Sequence, residues 1–221
     1  MSKRRSGLKV NQRAYNYYFA PPSTPICSPR TISITEIATI GLEGYYLNGN
    51  TTIQECETLV IGSILFIGNY TLRNRGTINI IQGGVIYNTD GISTGGIINN
   101  TGGGIINNQG TIHNNIGTIN NTGGKIDNTD GTILNNGGTI DNTSGNIVNI
   151  LGSIYNTEGG RINNTSGMIY NIGGGGINNT NGIINNTIGT IHLGNQNGSC
   201  GFGFITGSGN ILGNPASNTC P

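Results

Sequence analysis

The chain has 221 residues, only 9% of them charged, with 40 Gly and no Trp. Low charge with this much Gly and Asn fits a disordered low-complexity chain, but Ile recurs in phase, and a phased apolar residue can build a core where a scattered one cannot. No stretch approaches the ~20 apolar residues of a membrane span, and the opening MSKRRSGLKVNQRAYNYY has no apolar core of the kind a secretory signal needs.

The net charge is +1, unevenly spread. Residues 1–30 hold Lys3, Arg4, Arg5, Lys9, Arg13 and Arg30 with no acid, hence +6; the rest sets Arg73, Arg75, Lys125 and Arg161 against nine acids, hence −5. Residues 1–30 read as an extended basic arm. Its aromatic cluster, Tyr15, Tyr17, Tyr18 and Phe19, precedes PPSTPICSP, whose prolines oppose helix. The arm has too few apolar residues to fold alone. It is either a solvated tail or a segment that touches nucleic acid, an acidic surface or the body of a neighbouring copy.

Residues 31–75 read as a β lead-in with the first coils. TISITEIATI alternates Ile with polar residues at period two, and TTIQ, ETLVI, SILFI and YTLRN follow as short β-rich runs. Leu59, Leu65, Leu72 and Ile78 are already spaced six, seven and six apart. Residues 76–193 are the regular array of a seven-residue unit, Gly-x-Ile-x-Asn-x-x, unbroken from Gly110 to Leu151. Sixteen phased Ile run from Ile78 to Ile191; fourteen have Asn two residues later, and the first and last units have Ile80 and Leu193 there instead. Ile92 fills the gap between Ile86 and Ile98 as an imperfect unit. Residues 194–221 lose the repeat and read as a Gly-rich C-terminal cap or tail.

A period of seven suggests a coiled coil, but this unit has one obligatory apolar position, and each Gly costs ~1 kcal/mol in a helix. The β reading fits every position. Ile and Asn, two apart, point to the same side of a strand. The residues beside them, mostly Thr, Asn, Asp, Lys, Arg, Tyr and His, point outward. The Gly is expected to make a tight corner with positive φ. The expected fold is therefore all-β: a parallel β-solenoid (β-helix) of seven-residue sides, with Ile stacked on Ile and Asn on Asn about 4.8 Å apart. The Asn column is expected to be a side-chain amide ladder, with Ile80 and Leu193 marking its ends. Coils of 14 or 21 residues both fit the spacing of the extra glycines; a three-sided section buries more core and is favoured.

The run NTGGKIDN and the lead-in TLRNRGTINI resemble the repeats of filamentous-haemagglutinin-type β-helices and the Ile/Asn-rich "GTINN" repeat proteins of giant DNA viruses and phages, over roughly residues 52–193. The resemblance implies a structural, often fibrous part of an extracellular or virion surface. The lack of a classical secretion signal favours the viral version.

Chemistry-bearing residues are few. His113 and His192 fall on outward positions far apart, so no metal site is expected. Asp127 and Asp141 would stack in a 14-residue coil, a conceivable glycosidase pair, although two solvated acids is the plainer reading. Asn-x-Ser/Thr sequons (Asn69, Asn120, Asn163, Asn185) arise from composition. Outward Thr77, Thr111, Thr118, Thr132, Thr139 and Thr190 are interrupted too often for an ice-binding face. Cys27, Cys56, Cys200 and Cys220 lie outside the regular units as candidate disulfide residues at the two ends, with three pairings open. The expectation is a non-enzymatic, self-assembling structural protein that needs no cofactor. It would form homo-oligomers or filaments through its arm and ends, or join other capsid or surface proteins. The alternatives are an adhesin or carbohydrate-binding solenoid using Tyr87, Tyr155 and Tyr170, then a solenoid hydrolase.

Overall fold

The computed structural model describes residues 27–89 and 95–193, and the backbone of Phe204–Thr206 and Asn210–Gly213. Ile92, Cys200, Cys220 and the aromatic residues Tyr15, Tyr17, Tyr18 and Phe19 lie outside the described residues.

The described chain is a three-sided parallel β-solenoid of about seven turns. Three sheets of eight, eight and nine strands form its faces. From Tyr45 onward, strands pair in parallel with the one three strands later. Ile112, Ile133 and Ile154 are thus in register, as are Ile119 and Ile140, and Ile126 and Ile147. The three series identify the faces. The first face carries Ile126 and Ile147, the second Ile112 and Ile133, the third Ile119 and Ile140. This register settles the coil at 21 residues in the regular part, lengthened at later corners.

Each strand follows one local rule. In Thr132–Asn136, Thr132, Leu134 and Asn136 are half-buried and Ile133 and Asn135 are buried. The same alternation recurs in Thr118–Thr122 and Lys125–Thr129 apart from the last residue's exposure. Extended backbone turns side chains to alternate sides, so Ile and Asn go inward together. The Ile columns meet on the axis, leaving only about 10 Å³ of space between them. Each buried Ile contributes roughly 1.5–3 kcal/mol.

The N-terminal end has its own construction. β1 (Arg30–Ile32), β2 (Ala38–Ile40), β3 (Tyr45–Leu47) and β4 (Thr51–Ile53) form the first coil. β1 and β4 begin the first and third faces; on the second, β2 pairs antiparallel to β3 and ends the sheet. A 3-10 turn, Ile34–Glu36, is held by a capping box between Ser33 and Glu36. It lays Ile34 and Ile37 against the core. In these coils the position later held by Asn is aliphatic: Leu47, Ile53, Ile61, Ile67 and Ile80 are all buried. The exchange of Asn for an apolar residue therefore extends over several units up to Ile80, with Asn74 the exception, and is not confined to one terminal unit.

Candidate functional site

The only dense polar network in the described residues is inside the rod, at its corners. Asn114 Nδ2 donates to Asn135 Oδ1 one coil on (2.7 Å) and also to the Thr139 carbonyl (3.0 Å). Asn135 repeats this toward Asn156 and the Arg161 carbonyl. Parallel columns run from Asn74 through Asn100, Asn121, Asn142 and Asn164 to Asn186, and from Asn108 through Asn128 and Asn149 to Asn171. Each rung up to Asn149, Asn156 and Asn164 donates toward the C-terminal coil. An inward Asn is thus satisfied by its neighbours, which removes the cost of burying an amide.

The ladder's polarity fixes its start. Asn74 and Asn88 have no donor beneath them, because Ile53 and Ile67 lie there, and their Oδ1 atoms have no hydrogen-bond partner. On the first face the ladder begins at Asn108, above Ile80, and its Oδ1 takes the Gly110 N–H instead. Asn74 joins the ladder one unit before the regular array, which sequence reasoning missed because Leu72 stands where the phased Ile would be.

One expectation about this corner is corrected. The phased glycines do not supply positive φ. That conformation belongs to the residue before each: Ile116 (φ 62°), Gly123 (67°), Asp130 (59°), Gly137 (65°), Ser144 (53°) and Leu151 (57°). The phased Gly is required by close approach. A Cβ on Gly117 would sit 2.4 Å from the Asn88 carbonyl oxygen and 2.6 Å from its Nδ2. The ladder amide lies against the bare Cα of the next corner.

Substitution within the ladder should be costly. Asn121 accepts from Asn100 and donates to Asn142 and to the Asn146 carbonyl. Asn121→Asp removes the donor and sets a buried carboxylate against two acceptors, with an expected loss of at least about 3 kcal/mol. Asn74→Leu, at an end already missing one bond, should cost clearly less. Urea denaturation followed by circular dichroism compares the two.

The outer surface separates the residues that the sequence grouped. Asp127 lies on the first face, in register with Asn107 and Val148, and Asp141 on the third, between Asn120 and Asn163. A 21-residue coil therefore places no stacked carboxylate pair there. Asp127 pairs with Lys125 (2.6 Å) and accepts from Thr129, while Asp141 accepts from Asn163. The histidines also lie on different faces, His113 on the second and His192 on the first. Among the described residues no three His, Cys, Asp or Glu side chains come together as a metal site. The outward Thr position before Ile is spread over all three faces, so it forms no single Thr plane. Cys27 and Cys56 form a disulfide, Cα–Cα 6.1 Å, at the N-terminal corner.

The second face carries an aromatic column that the sequence did not reveal. Tyr46, Phe66, Tyr87 and His113 stack in succession, with centroids 4.6, 5.0 and 4.5 Å apart and rings nearly parallel. Their sequence spacing is irregular, and only the coil register aligns them. The rings lie face to face along the axis and show their edges to solvent. Tyr170 stacks likewise on His192 on the first face. A sugar-binding platform needs a free ring face, and Tyr87 is covered on both faces by Phe66 and His113, while His192 covers one face of Tyr170. Tyr155, 38% exposed on the second face, lines a shallow depression with Leu151 and Asn178.

Burial within this column pushes the His113 imidazolium equilibrium below its ordinary 6.5. The folded state thus resists protonation that the unfolded chain accepts. Its neutral form contributes stability above pH 6.5 that is lost as pH falls through the lowered folded value. Melting temperature against pH should show this acid-side loss, and His113→Phe should remove it.

No family model matches the chain, and no curated protein does. A solved structure, a TibA fragment hyper-glycosylated by TibC, aligns at 18% identity over 85% of this chain and 100% of that one, with a TM-score of 0.17. Superposition at that level carries no argument. What stands is the geometry: a β-solenoid repeat protein with asparagine ladders. No helix among the described residues is long and apolar enough to cross a membrane.

Proposed function

We propose that this chain is a non-enzymatic structural protein, a self-assembling solenoid that forms part of a fibre or of a virion or cell-surface layer. The observation that carries this reading is where the chemistry sits. The repeated polar residue is buried in axial ladders that lock coil to coil, so the sequence serves cohesion along the rod. A rod built by axial pairing ends in strands that can pair again, and such edges are either covered or used for association. Homo-oligomerisation through the ends, with the arm taking part, follows from the same feature. Light scattering and electron microscopy of the full chain test it. Oligomers or filaments that grow with concentration are expected; a strict monomer at high concentration, with and without reductant, sinks the proposal.

A second reading, an adhesin or carbohydrate-binding solenoid, is favoured by Tyr155 alone. A glycan array without hits, or hits unchanged by Tyr155→Ala, counts against it.

A further inference from the structure

The outward position between the two inward residues of a strand is filled differently on the three faces. On the second face it holds Tyr46, Phe66, Tyr87, His113, Leu134 and Tyr155 in successive coils, each in register with the next. They form one column on one sheet, about 24 Å long at the ~4.8 Å spacing of paired strands. Beside its first half run Ile64 and Val85, also in register and half-buried. The neighbours above and below cover each side chain only in part. Tyr46 and Tyr155 remain exposed, and the four between them are half-buried.

Charge sharpens the contrast. Among the described residues, no strand of the second face contains Asp, Glu, Lys or Arg. Strands of the first face carry Arg30, Glu57, Lys125 and Asp127, and those of the third Arg73, Asp141 and Arg161. Glu43, Asp130 and Glu158 stand in turns that flank the second face, outside its strands. Its later coils set Thr111, Thr132 and Ser153 on one side of the column and Asn115, Asn136 and Thr157 on the other. An aromatic and aliphatic spine between uncharged hydroxyl and amide rows has the composition of the buried centre of a protein interface.

Period, charge and area name the occupant. The spine repeats at the coil spacing, with ring centroids 4.6, 5.0 and 4.5 Å apart. A surface that meets it rung for rung is another solenoid face of the same period, as when like sheets interdigitate, and the same face of a second copy supplies one. Without charge, the spine has nothing to select an acidic or basic partner. The flanking Thr, Ser and Asn side chains both donate and accept, so they complement their own kind. The area is sufficient. A five-residue side is about 17 Å wide, and the seven strands from Tyr45 to Asn178 span about 29 Å. Each copy thus contributes about 500 Å² of flat area and a pair about 1,000 Å², which reaches what a specific interface needs.

We propose that the second face, along the column from Tyr46 to Tyr155, packs against the same face of a second copy about a two-fold axis. Paired in this way, each column covers the open ring edges of the other and excludes water from both. The proposal rests on the structural reading above and adds a second direction to it. Pairing joins rods side by side and leaves their ends open to axial association.

Small-angle X-ray scattering of the full chain over a concentration series separates the two directions. Lateral pairing raises the cross-sectional radius of gyration, whereas end-to-end association raises length at constant cross-section. The expected result is a cross-section that grows from one rod to two as concentration rises. Leu134→Lys and Tyr155→Lys, tested separately, each place a charge in the interface twice per pair. Each should raise the concentration at which half of the chains are paired by at least about tenfold, with circular dichroism unchanged. Val60→Lys, at the same outward position on the first face, should leave pairing as it is. A single-rod cross-section in the parent at every concentration overturns the proposal, whether or not the rods lengthen. Pairing that survives both second-face changes, or that Val60→Lys weakens as much as they do, overturns it too. Rods that pair but never lengthen uphold the lateral contact and count against axial assembly, so the two readings fail separately.

Discussion

Ile133→Asp should unfold much of the array under conditions in which Asp127→Asn leaves it intact. Ile133 is 1% exposed and stacked between Ile112 and Ile154. Removing an aliphatic side chain of this size from a core costs about 2–5 kcal/mol by itself. The new carboxylate must then be buried charged, or bind a proton that it would not hold in water. The combined loss is expected to exceed about 4 kcal/mol. It spreads beyond one strand, because each coil is supported only by its neighbours. Asp127 sits on the outer surface in an ion pair with Lys125 whose groups are 20% and 43% exposed. Such pairs contribute little, so Asp127→Asn should move stability by about 0.5 kcal/mol or less. Urea midpoints of the two variants, followed by circular dichroism, give the comparison; equal midpoints would overturn the inward and outward assignment.

The adjacent glycines Gly123 and Gly124 should respond very differently to alanine. Gly123 has φ 67° with nothing within 4 Å of where a Cβ would sit. Gly123→Ala therefore suffers only the left-handed backbone penalty, about 1–2 kcal/mol. Gly124 is not in that conformation, but its Cβ would lie 2.5 Å from Asn100 Nδ2 and 2.9 Å from Asn121 Oδ1. Neither atom can retreat without breaking the ladder bond that joins them (2.8 Å). Gly124→Ala should therefore cost more than about 3 kcal/mol, through overpacking plus a lost buried hydrogen bond. A conformational role for the phased glycine predicts the reverse order. Thermal melts of both variants decide between them.

These corners show what the sequence made legible. The spacing of two between Ile and Asn assigned both side chains inward, and strand geometry permits no other result. The amide ladder followed from stacking like on like. The role of glycine was misread because pairs such as Gly123–Gly124 contain both kinds. The discriminating signal was nonetheless present within the repeat: the position before the phased Gly holds Ile116, Asp130, Ser144 and Leu151 in turn. A backbone preference tolerates such exchange at a cost, whereas a contact with no room for a methyl group does not. Glycine spacing fits two sides as well as three, and only the larger core of a three-sided section pointed to the coil that the strand register shows. Everything dependent on coil register was hidden: the separation of Asp127 from Asp141, and the column from Tyr46 to His113. Of the candidate disulfide residues, Cys27 and Cys56 are paired, whereas Cys200 and Cys220 lie beyond the described residues.

That the repeated Asn binds coil to coil, rather than decorating turns, can be tested on the amide protons themselves. Side-chain Nδ2 hydrogens of Asn114, Asn121, Asn135 and Asn142 can be followed by nitrogen-15 NMR after transfer to heavy water. The ladder predicts that they exchange orders of magnitude more slowly than the side-chain amide of exposed Asn69. Equally rapid exchange at all of these side chains would contradict it.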